Sequence, residues 1–143
     1  MYLIHELDET LTMFSYDKNG DLKFLSETNI TSENNKPANS AAAIKISPKG
    51  DFLYTTDRAE ANLISTYIIL QNGHLGLVEQ LSTQGKNPRD FAIDPLGNYL
   101  LIANQDTNTI TVFKRDKTTG KLTYTDQKIE ICAPACLHFT ALQ

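Results

Sequence analysis

The sequence has little of what marks several classes of protein. It contains only two cysteines, Cys132 and Cys136, and these do not make a disulfide framework. They also lack the further Cys and His ligands that a zinc site needs, so we expect no metal cofactor. Because cysteine is used so sparingly, the cytoplasm is the expected compartment.

Charge and hydropathy exclude further classes. The net charge is −4 at pH 7, and charges of both signs are scattered along the 143 residues, with no basic stripe that would indicate nucleic acid. No apolar run is long enough to span a membrane. Met1 is followed by neither a basic segment nor a small-residue cleavage site, so we expect no signal peptide. The length is that of one globular domain.

What the chain does contain is a repeat. Residues 47–59 (SPKGDFLYTTDRA) and 94–106 (DPLGNYLLIANQD) superimpose at a shift of 47. Both place Pro second and Gly fourth behind a Ser or an Asp, which is typical of a type I turn. Each unit predicts four short antiparallel strands, the pattern of a β-propeller blade. A β-sandwich is the alternative, but it does not require a repeat of this kind.

The repeat predicts an all-β, incomplete β-propeller of about three four-stranded blades. We expect a blade without its first strand at 1–30, full blades at 40–83 and 88–131, and an orphan first strand at 134–139. Propellers close with at least four blades, so this chain alone cannot form a closed ring. Unpaired strand edges recruit other strands, which favours a homo-oligomer.

Polar side chains recur where the second strands end and where one first strand begins. The aligned repeats put Glu6, Arg58 and Gln105 at one equivalent position, the end of the second strand. Arg89 is at the start of a first strand. The residues ahead of the first three are also polar: His5, Asp57 and Asn104. These points share one edge of an antiparallel blade, so the side chains should gather near the propeller axis. Such a set suits a small anionic, oxygen-rich ligand; the alternative is a set of surface residues at turns.

Four stretches carry a resemblance to a known family: HELDETLTMFSYD, AAIKISPKGDFLYTTDR, GKNPRDFAIDPLGNYLLIANQD and PACLHF. They resemble the lactonase family of seven-bladed propellers, which includes bacterial 6-phosphogluconolactonases and the fungal carboxymuconate lactonizing enzyme. The resemblance covers essentially the whole chain and corresponds to the C-terminal part of a family member. The chain departs from the family at three positions, where His5 and Asp57 replace Asn and Lys45 replaces a common His.

The resemblance implies hydrolysis of a lactone without a metal or other cofactor. The substrate would be a sugar lactone such as 6-phospho-D-glucono-1,5-lactone, an intermediate of glucose metabolism in the pentose phosphate pathway. The family's catalytic glutamate and arginine fall on Glu6 and Arg58. Because a guanidinium meets phosphate oxygens bidentately, Arg89 is the expected phosphate ligand. Gln105 and His5 are the further expected substrate-binding residues.

Two other interpretations stay open at this point. A propeller can be a non-catalytic scaffold or ligand-binding module, since fold does not determine function. The chain can also be a fragment that carries half an active site, because the family's other catalytic residues come from earlier blades. On that interpretation the isolated chain is inactive.

Overall fold

The computed structural model describes residues 1–30, 40–58 and 60–140. All regular structure in these ranges is β-strand, which confirms the all-β prediction. None of the described residues forms a helix that could cross a membrane. The eleven strands are β1 Tyr2–Ile4, β2 Thr10–Tyr16, β3 Leu22–Asn29, β4 Ala41–Ile46, β5 Phe52–Asp57, β6 Leu63–Ile69, β7 Leu75–Ser82, β8 Pro88–Ile93, β9 Tyr99–Asn104, β10 Thr109–Arg115 and β11 Leu122–Glu130.

The strands form three antiparallel sheets in which neighbours in sequence are neighbours in space. The first sheet has the order β1-β2-β3, the second β4-β5-β6-β7 and the third β8-β9-β10-β11. Strand β4 contacts both β1 and β8, so the three sheets meet along these strands. This is the arrangement of a partial β-propeller.

The two turns that define the repeat form as predicted. The Gly50 amide donates to the Ser47 carbonyl at 2.9 Å, and the Gly97 amide donates to the Asp94 carbonyl at 2.8 Å. Both glycines have a positive φ, +78° and +70°, a conformation that glycine adopts more readily than residues with a side chain. The two turns therefore have the same geometry, one connecting β4 to β5 and the other connecting β8 to β9.

Apolar cores fill the two boundaries between sheets. The core between the first and second sheets contains Leu11, Ile30, Ala41, Leu53 and Tyr67. The core between the second and third sheets contains Phe52, Tyr54, Ile64, Phe91, Leu100, Ile102, Phe113 and Leu122. Leu53 and Tyr54 point to opposite faces of β5, yet both are fully buried. The second sheet is thus covered on both faces, which explains why β5 is apolar at successive positions.

The segment 134–139, predicted as a first strand, is not a strand in the structure. A first strand needs a second strand to pair with, and the described part of the chain offers this segment none. It is held against the third sheet instead, where the Leu137 amide donates to the Asp90 carboxylate at 2.7 Å.

Candidate active site

The strand ends at the boundary between the first two sheets bring a carboxylate and a guanidinium together. Glu6 follows β1 and Arg58 follows β5, and the Arg58 Nη2 atom donates to the Glu6 Oε1 atom. The arginine side chain is 14% exposed and the glutamate side chain 60% exposed. Arg58 is therefore the fixed member of the ion pair, and Glu6 is the solvent-facing member.

Arg58 is fixed by a single backbone carbonyl. Both its Nε atom and its amide nitrogen donate to the carbonyl oxygen of Ser40, each at 3.1 Å. The neighbouring amide of Ala41 donates to the Glu6 carbonyl at 3.2 Å. The start of β4 thus holds the backbone of Glu6 on one side and the guanidinium of Arg58 on the other.

A cavity of about 300 Å³ lies over this ion pair. Its lining is Ile4, Glu6, Ala41, Ala42, Arg58 and Arg89. The side chain of Arg89 is exposed and makes no hydrogen bond or ion pair with the described residues. The cavity therefore holds one carboxylate and two guanidiniums, of which one is free to bind an anion.

Arg89 enters the cavity because β8 has a β-bulge. Pro88 is opposite Asn104 and Asp90 is opposite Ala103, so Arg89 is the extra residue. A bulge re-aims the side chain of the extra residue, and bulges are common beside active sites. Strand β4 has a register shift at the equivalent place, between Ala41 and Ile44. Both first strands thus present a bulge to the same cavity.

A second carboxyl group lies behind the ion pair. Burial, and then the charge of Glu9, raise the pKa of Asp57 from 3.8 to about 6. The Ser40 hydroxyl donates to the Asp57 carboxylate at 3.4 Å, and the Ser40 amide donates to the Glu9 carboxylate at 3.4 Å. Ser40 therefore joins two carboxyl groups to the carbonyl that holds Arg58.

The other two expected substrate-binding residues do not line this cavity. The Gln105 amide oxygen accepts a hydrogen bond from Asn87 at 3.2 Å. The His5 Nε2 atom shares a hydrogen bond with the Thr12 hydroxyl at 2.8 Å, which in turn donates to Glu27 at 3.3 Å. Both side chains are partnered within the protein, so their binding of substrate stays a prediction.

Two elements of the site were not anticipated from the sequence. One is the anchoring of Arg58 by the carbonyl of Ser40, whose amide donates to Glu9. The other is an ion pair of 2.9 Å between Lys45 and Asp90, the residue after Arg89, which joins β4 to β8. Glu9 had a detectable signal in the repeat, because it directly precedes β2 as Asn62 precedes β6 and Asn108 precedes β10. Lys45 and Asp90 had none, since their pairing depends on how the two sheets pack.

A larger cavity, about 710 Å³, lies on the third sheet. It is lined by Gln84, Thr107, Asn108, Thr109, Lys128, Glu130, Ile131 and Cys132. It is lined by none of the four residues predicted to gather at the strand edge, which are Glu6, Arg58, Arg89 and Gln105. Its size alone does not make it the functional site, and the smaller cavity has the convergent charges.

Comparison with known proteins gives consistent matches over nearly the whole chain. The model of the family described as "Lactonase, 7-bladed beta-propeller" matches residues 1–139. The 6-phosphogluconolactonase of Formosa agariphila is 41% identical over 132 residues, which cover 91% of this chain and 37% of the relative. The 6-phosphogluconolactonase of Bacillus subtilis is 27% identical over 139 residues, which cover 96% of this chain and 40% of the relative.

A solved structure agrees with the sequence matches. The periplasmic gluconolactonase of Pseudomonas aeruginosa superimposes with a TM-score of 0.92 at 32% identity, covering 99% of this chain and 39% of that protein. The chain thus spans about two-fifths of the length of the relatives it matches. Sequence and structure lead to the same assignment: the chain belongs to the lactonase family of seven-bladed β-propellers.

Proposed function

We propose that this chain carries part of the active site of a lactone hydrolase that acts on a phosphorylated sugar lactone, such as 6-phospho-D-glucono-1,5-lactone. The observation that supports it is the meeting of Glu6, Arg58 and Arg89 in one cavity. The names of the relatives, 6-phosphogluconolactonase and gluconolactonase, support the same substrate class.

Glu6 is the general base of the proposed reaction. Its Oε1 atom accepts from Arg58, while its Oε2 atom has no partner among the described residues. The Oε2 atom takes a proton from water as the water oxygen attacks the lactone carbonyl. When the ring C–O bond breaks, the same proton passes to the departing ring oxygen. A positioned base of this kind contributes about 10²–10⁴ in rate.

Arg58 stabilises the charge that develops on the carbonyl oxygen. Its Nε and Nη2 atoms are occupied by Ser40 and Glu6, and its Nη1 atom has no partner in the described part of the chain. A guanidinium fixed on two sides can direct the remaining donor at the oxyanion without reorganising. Loss of one well-placed oxyanion donor costs about 10²–10³ in turnover.

Arg89 binds the phosphate of the substrate. It is exposed, lines the cavity and has no carboxylate partner among the described residues. The fork of a guanidinium matches phosphate oxygens bidentately, which fixes orientation as well as charge. With Arg89 on the phosphate, Arg58 and Glu6 remain to contact the lactone group in the same cavity.

The described residues supply only one side of such a site. Catalytic groups must be held from several directions to reach productive geometry, and this chain covers about two-fifths of its relatives. We therefore expect the 143-residue chain alone to hydrolyse the lactone at the uncatalysed rate. A ring completed by fusing the N-terminal blades of the Formosa agariphila relative ahead of Met1 should hydrolyse it well above that rate.

The test measures proton release at constant pH from 6-phospho-D-glucono-1,5-lactone, from unphosphorylated glucono-1,5-lactone and from a simple ester. Hydrolysis by the completed ring, with preference for the phosphorylated lactone, supports the proposal. A completed ring that folds and hydrolyses neither lactone contradicts it and favours a non-catalytic propeller. Robust hydrolysis by the isolated chain would show that the expectation of an incomplete site is wrong.

A further inference from the structure

The three sheets share a contact that repeats along the chain. The residues directly ahead of β2, β6 and β10 occupy equivalent positions in the repeat and have a positive φ. The side-chain oxygen of each accepts a hydrogen bond from a backbone amide in the segment that follows the last strand of its sheet. We call this contact the inter-sheet clasp. Its three donor–acceptor pairs are Ser40 to Glu9 at 3.4 Å, Asn87 to Asn62 at 2.7 Å and Ala133 to Asn108 at 2.9 Å.

Backbone geometry shows that the three clasps are equivalent. The φ angles of Glu9, Asn62 and Asn108 are 52°, 48° and 55°. Each of these residues also accepts a backbone hydrogen bond at its carbonyl from the residue that follows the fourth strand of its repeat. The donors are Ile30 at 3.0 Å, Thr83 at 3.0 Å and Ile131 at 2.9 Å.

Glu9 is the exception in this series. Asparagine is favoured at positive φ and glutamate is not. The Glu9 side chain is fully buried, and its Oε2 atom has no hydrogen-bond partner among the described residues. A buried carboxylate oxygen without a partner destabilises a fold. Stability of the clasp alone therefore does not explain a glutamate here.

What distinguishes the Glu9 clasp is the residue that it holds. It fixes the amide of Ser40, and the carbonyl of Ser40 accepts both hydrogen bonds that anchor Arg58. In the next repeat the clasp fixes Asn87, whose carbonyl accepts, among the described residues, only the backbone amide of Gln105. Only the first clasp is linked to a guanidinium that faces the cavity.

We propose that Glu9 is a positioning residue for Arg58, which it holds through the backbone of Ser40. The amide and the carbonyl of Ser40 belong to adjacent peptide groups that meet at its Cα atom. Loss of the clasp therefore lets Ser40 shift at its φ and ψ angles, and its carbonyl then no longer directs the Nε atom of Arg58. The kinetic consequence rests on the proposed function, because it requires that Arg58 act on the substrate. The structural consequence does not depend on that function.

The first experiment uses the 143-residue chain and measures hydrogen exchange of arginine Nε–H groups by NMR. In the parent protein the Nε–H of Arg58 should exchange more slowly than that of Arg89, which has no partner among the described residues. Glu9→Ala should remove the protection of Arg58. Glu9→Asn should preserve it, because asparagine makes the clasp at 2.7 and 2.9 Å in the other two sheets.

Asn108→Ala is the matched control, since it breaks the same clasp away from Arg58. It should expose the amide of Ala133 and leave the Arg58 Nε–H unchanged. Equal exchange of Arg58 and Arg89 in the parent protein would overturn the proposal without any variant. Protection of Arg58 that survives Glu9→Ala would also overturn it.

The second experiment repeats the three variants in the completed ring. Glu9→Ala should lower kcat about 10- to 100-fold, since small misplacement of a catalytic group has effects of that size. Glu9→Asn should restore kcat, and Asn108→Ala should leave kcat near the parent value. Unchanged kcat in Glu9→Ala contradicts the proposal. If the ring hydrolyses no lactone, the proposed function fails while the exchange experiment still decides the role of Glu9.

Discussion

Arg58 and Glu6 are 52 residues apart in the sequence and form an ion pair across the boundary between two sheets. The arginine is anchored to the backbone of Ser40, whereas the glutamate reaches it from the exposed end of β1. An ion pair with one exposed member contributes little to stability. The two side chains also line one cavity, where they place a carboxylate beside a guanidinium.

Glu6→Gln should separate catalysis from stability. In the completed ring the substitution removes the base and should lower kcat about 10²–10⁴-fold. The free energy of unfolding of the 143-residue chain should change by less than about 1 kcal/mol, because the carboxylate is mostly exposed. Steady-state kinetics and urea unfolding measure the two effects, with Glu130→Gln as the control at another exposed carboxylate. Near-full turnover in Glu6→Gln would show that the general-base assignment is wrong.

Arg89→Ala should act on binding of the phosphorylated substrate. Hydrogen bonds to charged groups contribute about 1.5–3 kcal/mol, so KM for 6-phospho-D-glucono-1,5-lactone should rise about 10- to 150-fold. The kcat value should change little, and KM for the unphosphorylated lactone should stay near that of the parent ring. Lys49→Ala removes an exposed cation from a turn that does not line the cavity and serves as the control. A rise in KM that is equal for both lactones would contradict a phosphate contact.

Much of the architecture could be predicted because it rests on local patterns that repeat. The turns at 47–50 and 94–97 follow from Pro and Gly at fixed offsets, and both form. The strand that was expected at 134–139 does not form, since a strand depends on a partner rather than on its own sequence. Local sequence patterns therefore predicted the strands within the three sheets well, but they predicted poorly the segment 134–139, which has no strand to pair with.

The site was only partly predictable for the same reason. Alignment of the repeats placed Glu6, Arg58 and Arg89 together, and all three line one cavity. It also placed Gln105 with them, but Gln105 is bonded to Asn87 and lies outside the cavity lining. The direction in which a strand-end side chain points depends on bulges and on its neighbours, and neither is visible in a repeat alignment.

Asp57 should make the stability of the fold depend on pH. Its pKa is about 6 in the folded protein and 3.8 in the unfolded chain, so the fold favours the protonated carboxyl. Below about pH 4 both states are protonated and there is no penalty. As pH rises towards 6 the unfolded state gives up the proton first, and the folded state loses relative stability; above 6 the penalty stays constant.

Asp57→Asn removes this effect and should stabilise the protein more at pH 7 than at pH 4. The difference should be about 1–2 kcal/mol, which is less than the full shift implies because the half-buried carboxyl is partly screened by water. Urea unfolding of both proteins at several pH values between 4 and 8 measures it. The equivalent position in the next repeat is Asn104, so an amide fits this strand end. A stability difference that does not vary with pH would contradict the raised pKa.

Arg115 should contribute substantially to the stability of the fold. It lies in β10, is 5% exposed, and its Nε atom donates to the Tyr54 hydroxyl of the second sheet at 2.6 Å. Its Nη1 atom donates to the Gly97 carbonyl at 3.2 Å, and its Nη2 atom is 3.5 Å from the Asp51 carboxylate. The guanidinium also lies over the ring of Phe52, 5.4 Å from its centroid. One side chain thus joins the third sheet to the second by a hydrogen bond to Tyr54, by charge towards Asp51 and by packing on Phe52.

Arg115→Ala should lower the free energy of unfolding by about 2–4 kcal/mol, because it empties a buried site and leaves the Gly97 carbonyl without its partner. Arg115→Lys should recover less than half of that loss, since an ammonium cannot donate to both the Tyr54 hydroxyl and the Gly97 carbonyl from the positions of the Nε and Nη1 atoms. Lys114→Ala, at the exposed neighbouring position, should change stability by less than about 0.5 kcal/mol. Urea unfolding of the three variants measures these differences. If Arg115→Lys left the free energy of unfolding unchanged, the positive charge alone would account for the role of Arg115. The conclusion that the planar guanidinium joins the two sheets would then be wrong.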